Sequence, residues 1–199
     1  RLYNEARELL AAGKWHEAYV SYSTAAKYLL SEDLPKTNSA ILGCQFNAAL
    51  SARIGKEYEV SKALLLHIQS NAPAYYPDKV SNQLGEIVRD MAEDACDAPR
   101  KRAGKAFEAE RWIEAVSEYD KCIAILLGNG LEPSDRMVAE CRYNMAMAYH
   151  NTKKPRYLEQ GIALLVRIQN DSPQYEPLLV REQLAEFREF LQRLRSIEM

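Results

Sequence analysis

The side chains with the strongest intrinsic chemistry are four cysteines and three histidines, which could ligate a metal ion or form a nucleophile–base pair. The sequence has no C-x-x-C pair, and no histidine lies at metal-ligand spacing from Cys44, Cys96, Cys122 or Cys141. Three of these cysteines fall on apolar helix faces. We therefore predict reduced, buried thiols, as is typical of an intracellular protein, whether cytoplasmic or nuclear, and no bound metal or cofactor.

Motifs of the common catalytic sites are missing as well. There is no GxSxG, no P-loop, no GxGxxG and no HExxH, and the carboxylates are scattered along helix surfaces instead of being paired. The sequence thus predicts a protein that is not an enzyme. A catalytic site would need residues from several helices to converge, an arrangement that sequence alone leaves open.

Basic side chains concentrate in two segments, residues 100–105 and 153–156. The simplest interpretation is that the first segment is the solvent-exposed start of a helix and the second is a solvent-exposed loop. Cations near a helix N-terminus oppose the helix macrodipole, however, so the first segment gains no local stability and is suited to an acidic partner. A net charge of −2 lacks the basic excess that non-specific nucleic-acid binding needs, which leaves RNA contact through these loops as a minor alternative.

Membrane insertion is not expected, because no apolar run approaches the roughly 18 residues of a spanning helix. The sequence begins at Arg1 without a methionine. We interpret it as an excised fragment, so targeting segments could lie outside it.

The sequence contains an internal duplication. Six residues recur about 97 positions later, which marks a repeat architecture: Trp15, Glu17, Ala18, Tyr22, Cys44 and Asn47 return as Trp112, Glu114, Ala115, Tyr119, Cys141 and Asn144. From Ile68 and Ile168 onwards the offset is about 100, so the second copy gained roughly three residues near Lys154–Tyr157. We predict two homologous halves, 1–94 and 95–199, packed as one continuous solenoid.

Apolar residues recur at helical spacing almost throughout and predict about ten helices and no strand. The predicted helices cover 2–12, 15–30, 37–54, 57–70 and a fifth from Pro77, then 99–109, 111–127, 134–151, 157–170 and 177–195. The segment Asp94–Pro99 is short and not rich in Gly or Ser, so we expect it to join the halves rigidly.

Within each half the helix pairs resemble tetratricopeptide repeats (TPRs), in which small residues let two helices approach and bulky ones fill the layers between them. The matching residues are Leu2, Ala6, Leu9, Gly13, Trp15, Ala18, Tyr22 and Ala25, then Asn47–Ala49, Ala52, Tyr58, Ser61, Leu65, Ile68 and Pro73, then Ala103, Ala106, Trp112, Ala115, Tyr119 and Cys122, then Asn144–Ala146, Tyr149, Gly161 and Pro173. The resemblance implies an all-α, right-handed TPR-like α-solenoid. The helices after Pro77 and Pro177 have no second partner helix, so one is expected to bridge the halves and the other to cap the end.

In that family the first helix of each pair lines a concave groove that holds a peptide. The corresponding positions give candidate partner-binding residues, namely Tyr3, Arg7, Phe46, Asn47, Leu50, Arg53, Lys79, Arg100, Lys101, Tyr143, Asn144, Met147 and His150. His150 has no acidic or thiol neighbour at ligand spacing, so we interpret it as a polar contact.

One subgroup of the family clamps the C-terminal carboxylate of chaperone peptides with Lys, Arg and Asn side chains. Asn47, Asn144, Arg100 and Lys79 sit at clamp positions, whereas other clamp positions do not match. The resemblance therefore implies a non-catalytic protein–protein interaction module of adaptor, scaffold or co-chaperone type. An unrelated peptide or helix is the preferred ligand and a chaperone tail is one alternative. The alternative function is a structural assembly unit that uses other faces of the solenoid.

Overall fold

A computed structural model describes residues 1–197, and every regular element within that range is an α-helix. The helices are α1 (Leu2–Ala11), α2 (Trp15–Ser31), α3 (Ser39–Ile54), α4 (Tyr58–Asn71), α5 (Pro77–Glu108), α6 (Trp112–Gly128), α7 (Arg136–Asn151), α8 (Pro155–Asp171) and α9 (Pro177–Ile197). The predicted all-α fold class is confirmed for these residues. None of these helices is both long and apolar enough to cross a membrane.

Consecutive helices pack against each other through small side chains. Helices α1 to α4 form one run of neighbouring contacts, and α6 to α9 form another. Ala6, Ala18, Ala48, Ala115 and Ala146 are completely buried where these helices meet. The absence of a bulky side chain at these positions allows the close approach that the repeat motif requires.

The prediction of two helices around Asp94–Pro99 is wrong, because α5 continues unbroken from Pro77 to Glu108 with Pro99 inside it. Proline in a helix interior removes one hydrogen bond and costs about 3 kcal/mol. The apolar stripe nevertheless keeps its helical phase through the proline, since Ala92, Cys96, Ala103 and Ala106 are all buried. Burial of this stripe offsets the cost, and the described residues form nine helices instead of ten.

Side-chain caps fix the starts of α3 and α7. The Asn38 side chain accepts a hydrogen bond from the Ala40 N–H at 2.9 Å, and Asp135 accepts one from the Met137 N–H at 2.8 Å. Each cap satisfies an amide that the first helical turn leaves without a partner. The two helices therefore begin at Ser39 and Arg136, about two residues later than the apolar pattern indicated.

The chain divides into two compact units, residues 1–90 and 91–199, and the division falls inside α5. In the first unit, Ala6, Tyr22 and Ala48 form one buried cluster. The core of the second unit includes Leu165 and Phe187 with residues of α7. The predicted packing of both halves as one continuous solenoid stays a prediction.

Among the described residues, the buried charged side chains Glu118 and Arg142 both lie in the second unit. The Arg142 side chain on α7 is only 1% exposed and donates through Nη1 to the Pro133 carbonyl at 3.1 Å and to Asp171 Oδ2 at 2.8 Å. These bonds fasten the loop before α7 to the end of α8. Burial lowers the pKa of Arg142, although the nearby Asp171 carboxylate favours its charged form.

All four cysteines are free and buried, as predicted. Burial and a hydrogen bond with Cys122 raise the pKa of Cys96 to about 12. A hydrogen bond with Cys141, together with burial, raises the pKa of Cys122. These thiols are therefore protonated and poor nucleophiles at neutral pH.

Candidate partner-binding surface

In the first unit, two predicted groove residues contact each other. Asn47 on α3 donates through Nδ2 to the Tyr3 hydroxyl on α1 at 3.2 Å. The Tyr3 ring meets Tyr22 edge-on, with centroids 5.4 Å apart, and remains 44% exposed. Arg7 is exposed one turn further along α1. The Asn47 amide thus has an internal partner, which limits what it can offer a ligand.

Arg53, at the end of α3, is held by the side chains of α5. Its Nε donates to Asp90 Oδ2 at 2.6 Å, and its Nη1 donates to Gln83 Oε1 at 3.0 Å and to Glu86 Oε2. Gln83 also donates to Glu86 at 2.9 Å. The hydrogen bond that Arg53 donates to Asp90 raises the pKa of Arg53. The predicted groove cation is therefore part of a network that fastens α3 to α5.

The other predicted residues of the first unit line the same helices. Phe46 and Leu50 are half-buried on α3 at i and i+4, ahead of Arg53. Lys79, at the start of α5, places its Nζ 4.5 Å from the centre of the Tyr76 ring. That cation–π contact gives the ammonium group an intramolecular partner.

In the second unit, four predicted residues form a row on α7. Tyr143, Asn144, Met147 and His150 are all half-buried at i, i+1, i+4 and i+7. Tyr143 and Met147 pack against the core shared with α8 and α9. Burial, with a smaller contribution from Glu186, raises the pKa of Tyr143, so its hydroxyl is a hydrogen-bond donor at neutral pH.

The end of this row is aromatic. The His150 ring stacks on Phe187, with centroids 4.5 Å apart and planes inclined by 20°, and Phe190 lies 5.4 Å away. Beyond them is an open pocket of about 280 Å3, lined by His150, Asn151, Lys153, Glu186, Glu189, Phe190 and Arg193. It lies between the end of α7 and the middle of α9, and it combines an aromatic floor with charges of both signs.

Asn144 differs from its repeat counterpart Asn47. Among the described residues its side-chain amide has no hydrogen-bond partner, and it is not among the buried unsatisfied groups, so the amide reaches solvent. The position equivalent to Tyr3 holds Arg100, which pairs with Glu93 at 3.5 Å instead. Lys101 pairs with Asp97 at 2.7 Å. The second unit therefore leaves an amide available where the first unit uses it internally.

Sequence reasoning missed the partners of these residues on α9. Phe187 and Phe190 correspond to Ile87 and Asp90 under the offset of about 100, so an aromatic stack replaces the ion-pair network of the first unit. An alignment of the α5 sequence with the α9 sequence at this offset would have shown that Phe187 and Phe190 replace Ile87 and Asp90. The side chains of Trp15 and Trp112, two of the bulky residues that match the repeat motif, are half-buried.

A second concavity was also missed. It lies in the first unit, has a volume of about 690 Å3, and is lined by Arg1, Leu2, Tyr3, Ala25, Tyr28, Leu29, Ser39, Ala40, Gly43 and Cys44. The short side chains on α3 were a signal, because Ala40 and Gly43 stand where the second copy has Met137 and Glu140.

These surfaces present hydrogen-bonding groups beside apolar side chains. Within residues 1–197, no group of three or more His, Cys, Asp and Glu side chains is placed to hold a metal ion. The α7 row offers an amide, a phenol, a thioether and an imidazole beside aromatic carbon. Such a set provides apolar contact and hydrogen bonds to another chain.

Comparison with known structures gives two crystal structures of nearly identical TPR-like repeats from Podosopora anserina, assigned to a kinesin light chain. The first has a TM-score of 0.32 at 16% identity and covers 99% of this chain and 93% of that one. A single-residue variant of the same repeats has a TM-score of 0.31 at 16% identity, with 99% and 92% covered. No family model matches the chain, and no curated protein matches it.

Proposed function

We propose that the protein is a non-catalytic protein–protein interaction module of adaptor, scaffold or co-chaperone type, and that the α7 row beside α9 binds a peptide or helix of its partner. The observation that supports this most is the solvent-accessible Asn144 amide within a row of half-buried apolar side chains. An asparagine side chain presents both a donor and an acceptor, which matches one backbone amide of a bound segment.

The aromatic rings of Phe187 and Phe190, next to His150, supply the apolar part of the site. Phe190 is half-buried next to His150, and Met147 lies one turn before that histidine on α7. Methionine adapts its shape to different ligands, and aromatic side chains contribute a large share of binding energy at interfaces. A partner segment with an apolar anchor and exposed backbone amides fits this combination.

A chaperone C-terminal carboxylate fits the surface less well. The cations at clamp positions already have partners, since Lys79 lies over Tyr76 and Arg100 pairs with Glu93. A carboxylate clamp needs cations that are free to make charge-assisted hydrogen bonds. We therefore favour a ligand that is recognised along its backbone over one that is recognised by its terminal charge.

The test compares matched asparagine variants. Proteins retained by the immobilised chain would be identified, and their affinity measured for Asn144→Ala and for Asn47→Ala. We expect Asn144→Ala to weaken binding by about 1 kcal/mol, or roughly fivefold, without changing the urea midpoint, because its amide makes no intramolecular hydrogen bond. Equal affinity of wild type and Asn144→Ala would contradict the proposal.

The alternative function is a structural assembly unit, and exposed apolar side chains favour it. Tyr28, Ile113 and Leu178 are among the large apolar residues most open to solvent. Sedimentation velocity between micromolar and submillimolar concentration separates the two functions. Self-association that the Asn144→Ala substitution leaves intact would support assembly, and a monomer throughout would oppose it.

A further inference from the structure

The pocket at the end of the α7 row has a counterpart in the first unit that a side chain already occupies. Arg53 stands at the repeat position of His150, 97 residues earlier. Its guanidinium donates to Gln83 at 3.0 Å, to Asp90 at 2.6 Å and to Glu86. These three acceptors lie on one face of α5, at i, i+7 and i+3. In the first unit, this face of the repeat therefore binds a guanidinium group.

The second unit retains most of this acceptor set without the arginine. Gln183 and Glu186 on α9 have the same residue types as Gln83 and Glu86, 100 positions earlier. Gln183 donates to Glu186 at 3.2 Å, and the equivalent bond in the first unit is 2.9 Å long. The arginine is replaced by His150, whose ring stacks on α9 instead. The second unit thus keeps an amide and a carboxylate that hold a cation in the first.

The charges around the pocket leave this carboxylate without a cation. Glu186 is exposed and, among the described residues, accepts only the hydrogen bond from Gln183. The other carboxylate of the lining, Glu189, is paired with Arg193. Lys153, in the turn after α7, forms no ion pair within the described part of the chain. A cation that enters the pocket can therefore gain a charge-assisted hydrogen bond at Glu186.

The aromatic floor of the pocket favours a planar cation. Phe190 takes the repeat position of Asp90, is half-buried and lies 5.4 Å from the His150 ring. A guanidinium can stack its flat face on an aromatic ring while its edge donates hydrogen bonds, which a compact ammonium group cannot do in the same way. A stacking surface thus replaces one of the three acceptors of the first unit. The volume of about 280 Å3 leaves room for one arginine side chain.

We propose that this pocket binds an arginine side chain of the partner segment held on the α7 row. Glu186, positioned by Gln183, accepts hydrogen bonds from the guanidinium, and Phe190 stacks on its face. This assignment rests on the proposed function, because it specifies one side chain of the segment that the α7 row binds. It narrows the partner class to peptides or helices that present an arginine near an apolar anchor.

The test measures the binding of Nα-acetylarginine amide to the 199-residue protein by amide NMR titration. Nα-acetylcitrulline amide is the neutral isosteric control, and Nα-acetyllysine amide carries the charge without the planar group. On the protein side, Glu186→Gln removes the acceptor charge and Phe190→Leu removes the stacking surface. Glu132→Gln makes the same change of net charge in the loop before α7, outside the pocket lining.

We expect saturable shifts of the His150 and Gln183 signals with the arginine probe, and weaker binding of the citrulline and lysine probes. Glu186→Gln and Phe190→Leu should each weaken the arginine probe by about threefold to tenfold, whereas Glu132→Gln should bind it like wild type. His150→Arg should abolish binding, because it restores the internal guanidinium of the first unit. Absence of saturable shifts, or equal affinity of Glu186→Gln and wild type, would overturn the proposal.

Failure of the arginine pocket and failure of the proposed function give different results. The probe contains no partner segment, so its binding is measured independently of the partner test with Asn144→Ala. No probe binding, with partner affinity still lowered by Asn144→Ala, would overturn the arginine pocket alone. Probe binding that requires Glu186, with partner affinity unchanged by Asn144→Ala, would support the pocket and contradict the proposed function.

Discussion

Gly161 on α8 should be a position where alanine, the better helix former, destabilises the protein. A Cβ added there would lie 3.0 Å from Phe187 Cε2 and 3.2 Å from the Ala146 carbonyl oxygen. Phe187 is completely buried and stacks on His150, so its ring has little room to move. The carbonyl belongs to the backbone of α7 and is also fixed.

The magnitude follows from two opposing terms. Replacing glycine by alanine inside a helix gains about 1 kcal/mol from propensity. Forcing an extra carbon into a packed site costs about 1 to 3 kcal/mol. We therefore expect Gly161→Ala to lower the free energy of unfolding by about 1 kcal/mol, or the melting temperature by roughly 3 °C for a chain of this size.

Gly104 on α5 provides the matched control, because a Cβ there meets nothing within 4 Å. Gly104→Ala should raise the free energy of unfolding by about 0.5 to 1 kcal/mol, as expected for an unhindered helical site. Urea unfolding of both variants measures the difference. The ring resonances of His150 should shift in Gly161→Ala alone. Equal stabilisation by the two substitutions would refute the reasoning about close packing at α8.

Three further outcomes are expected. Arg142→Leu should lower the free energy of unfolding by about 1 to 3 kcal/mol, measured in urea, because it removes the hydrogen bonds that the buried guanidinium donates to the Pro133 carbonyl and to Asp171. His16 should titrate by NMR above 6.5, because a hydrogen bond to Glu57 raises its pKa, and Glu57→Gln should bring the pKa down. The stabilising effect of that pair should be present below pH 6.5 and vanish as the pH rises through the raised pKa. Arg53→Ala and Asp90→Asn should show a coupling of about 1 kcal/mol in a double-mutant cycle.

Most of the helical architecture could be predicted from the sequence. The apolar stripes and the breaks at Gly13, Gly55 and Pro73 locate α1 to α4 within two residues. The exception is α5, where Pro99 suggested a helix start, as proline often does in the first turn. The buried stripe on both sides of Pro99 keeps one phase, and this tertiary burial overrides the local preference for a break.

The candidate site could be predicted only in part. The TPR-like register placed Tyr143, Asn144, Met147 and His150 together on α7, and they do form one row. The register gave no information about which of the predicted side chains already form hydrogen bonds or ion pairs within the protein. The bonds of Arg53 to Gln83 and Asp90 on α5 join residues 30 and 37 positions apart and depend on how the helices are placed in space.

Because the sequence is repeated, the structure shows how equivalent residues in the two copies differ in their hydrogen bonds. Asn47 and Asn144 have the same register and residue type, yet only Asn47 has a phenol within hydrogen-bond distance. The difference arises two helices earlier, where Arg100 in the second copy replaces Tyr3 of the first. A residue's role therefore depends on substitutions at positions that it contacts across helices, which a single-position comparison does not detect.

The most direct test of the proposed function is site-specific photo-crosslinking from the α7 row. A benzoylphenylalanine placed at Met147 and, as control, at Arg167 on α8 would be irradiated with the partner proteins that the chain retains. We predict one specific crosslinked peptide from position 147 and none from 167, with loss of that product in the Asn144→Ala background. Crosslinks from position 167 alone, or a product at 147 unaffected by Asn144→Ala, would contradict the assignment of partner binding to this surface.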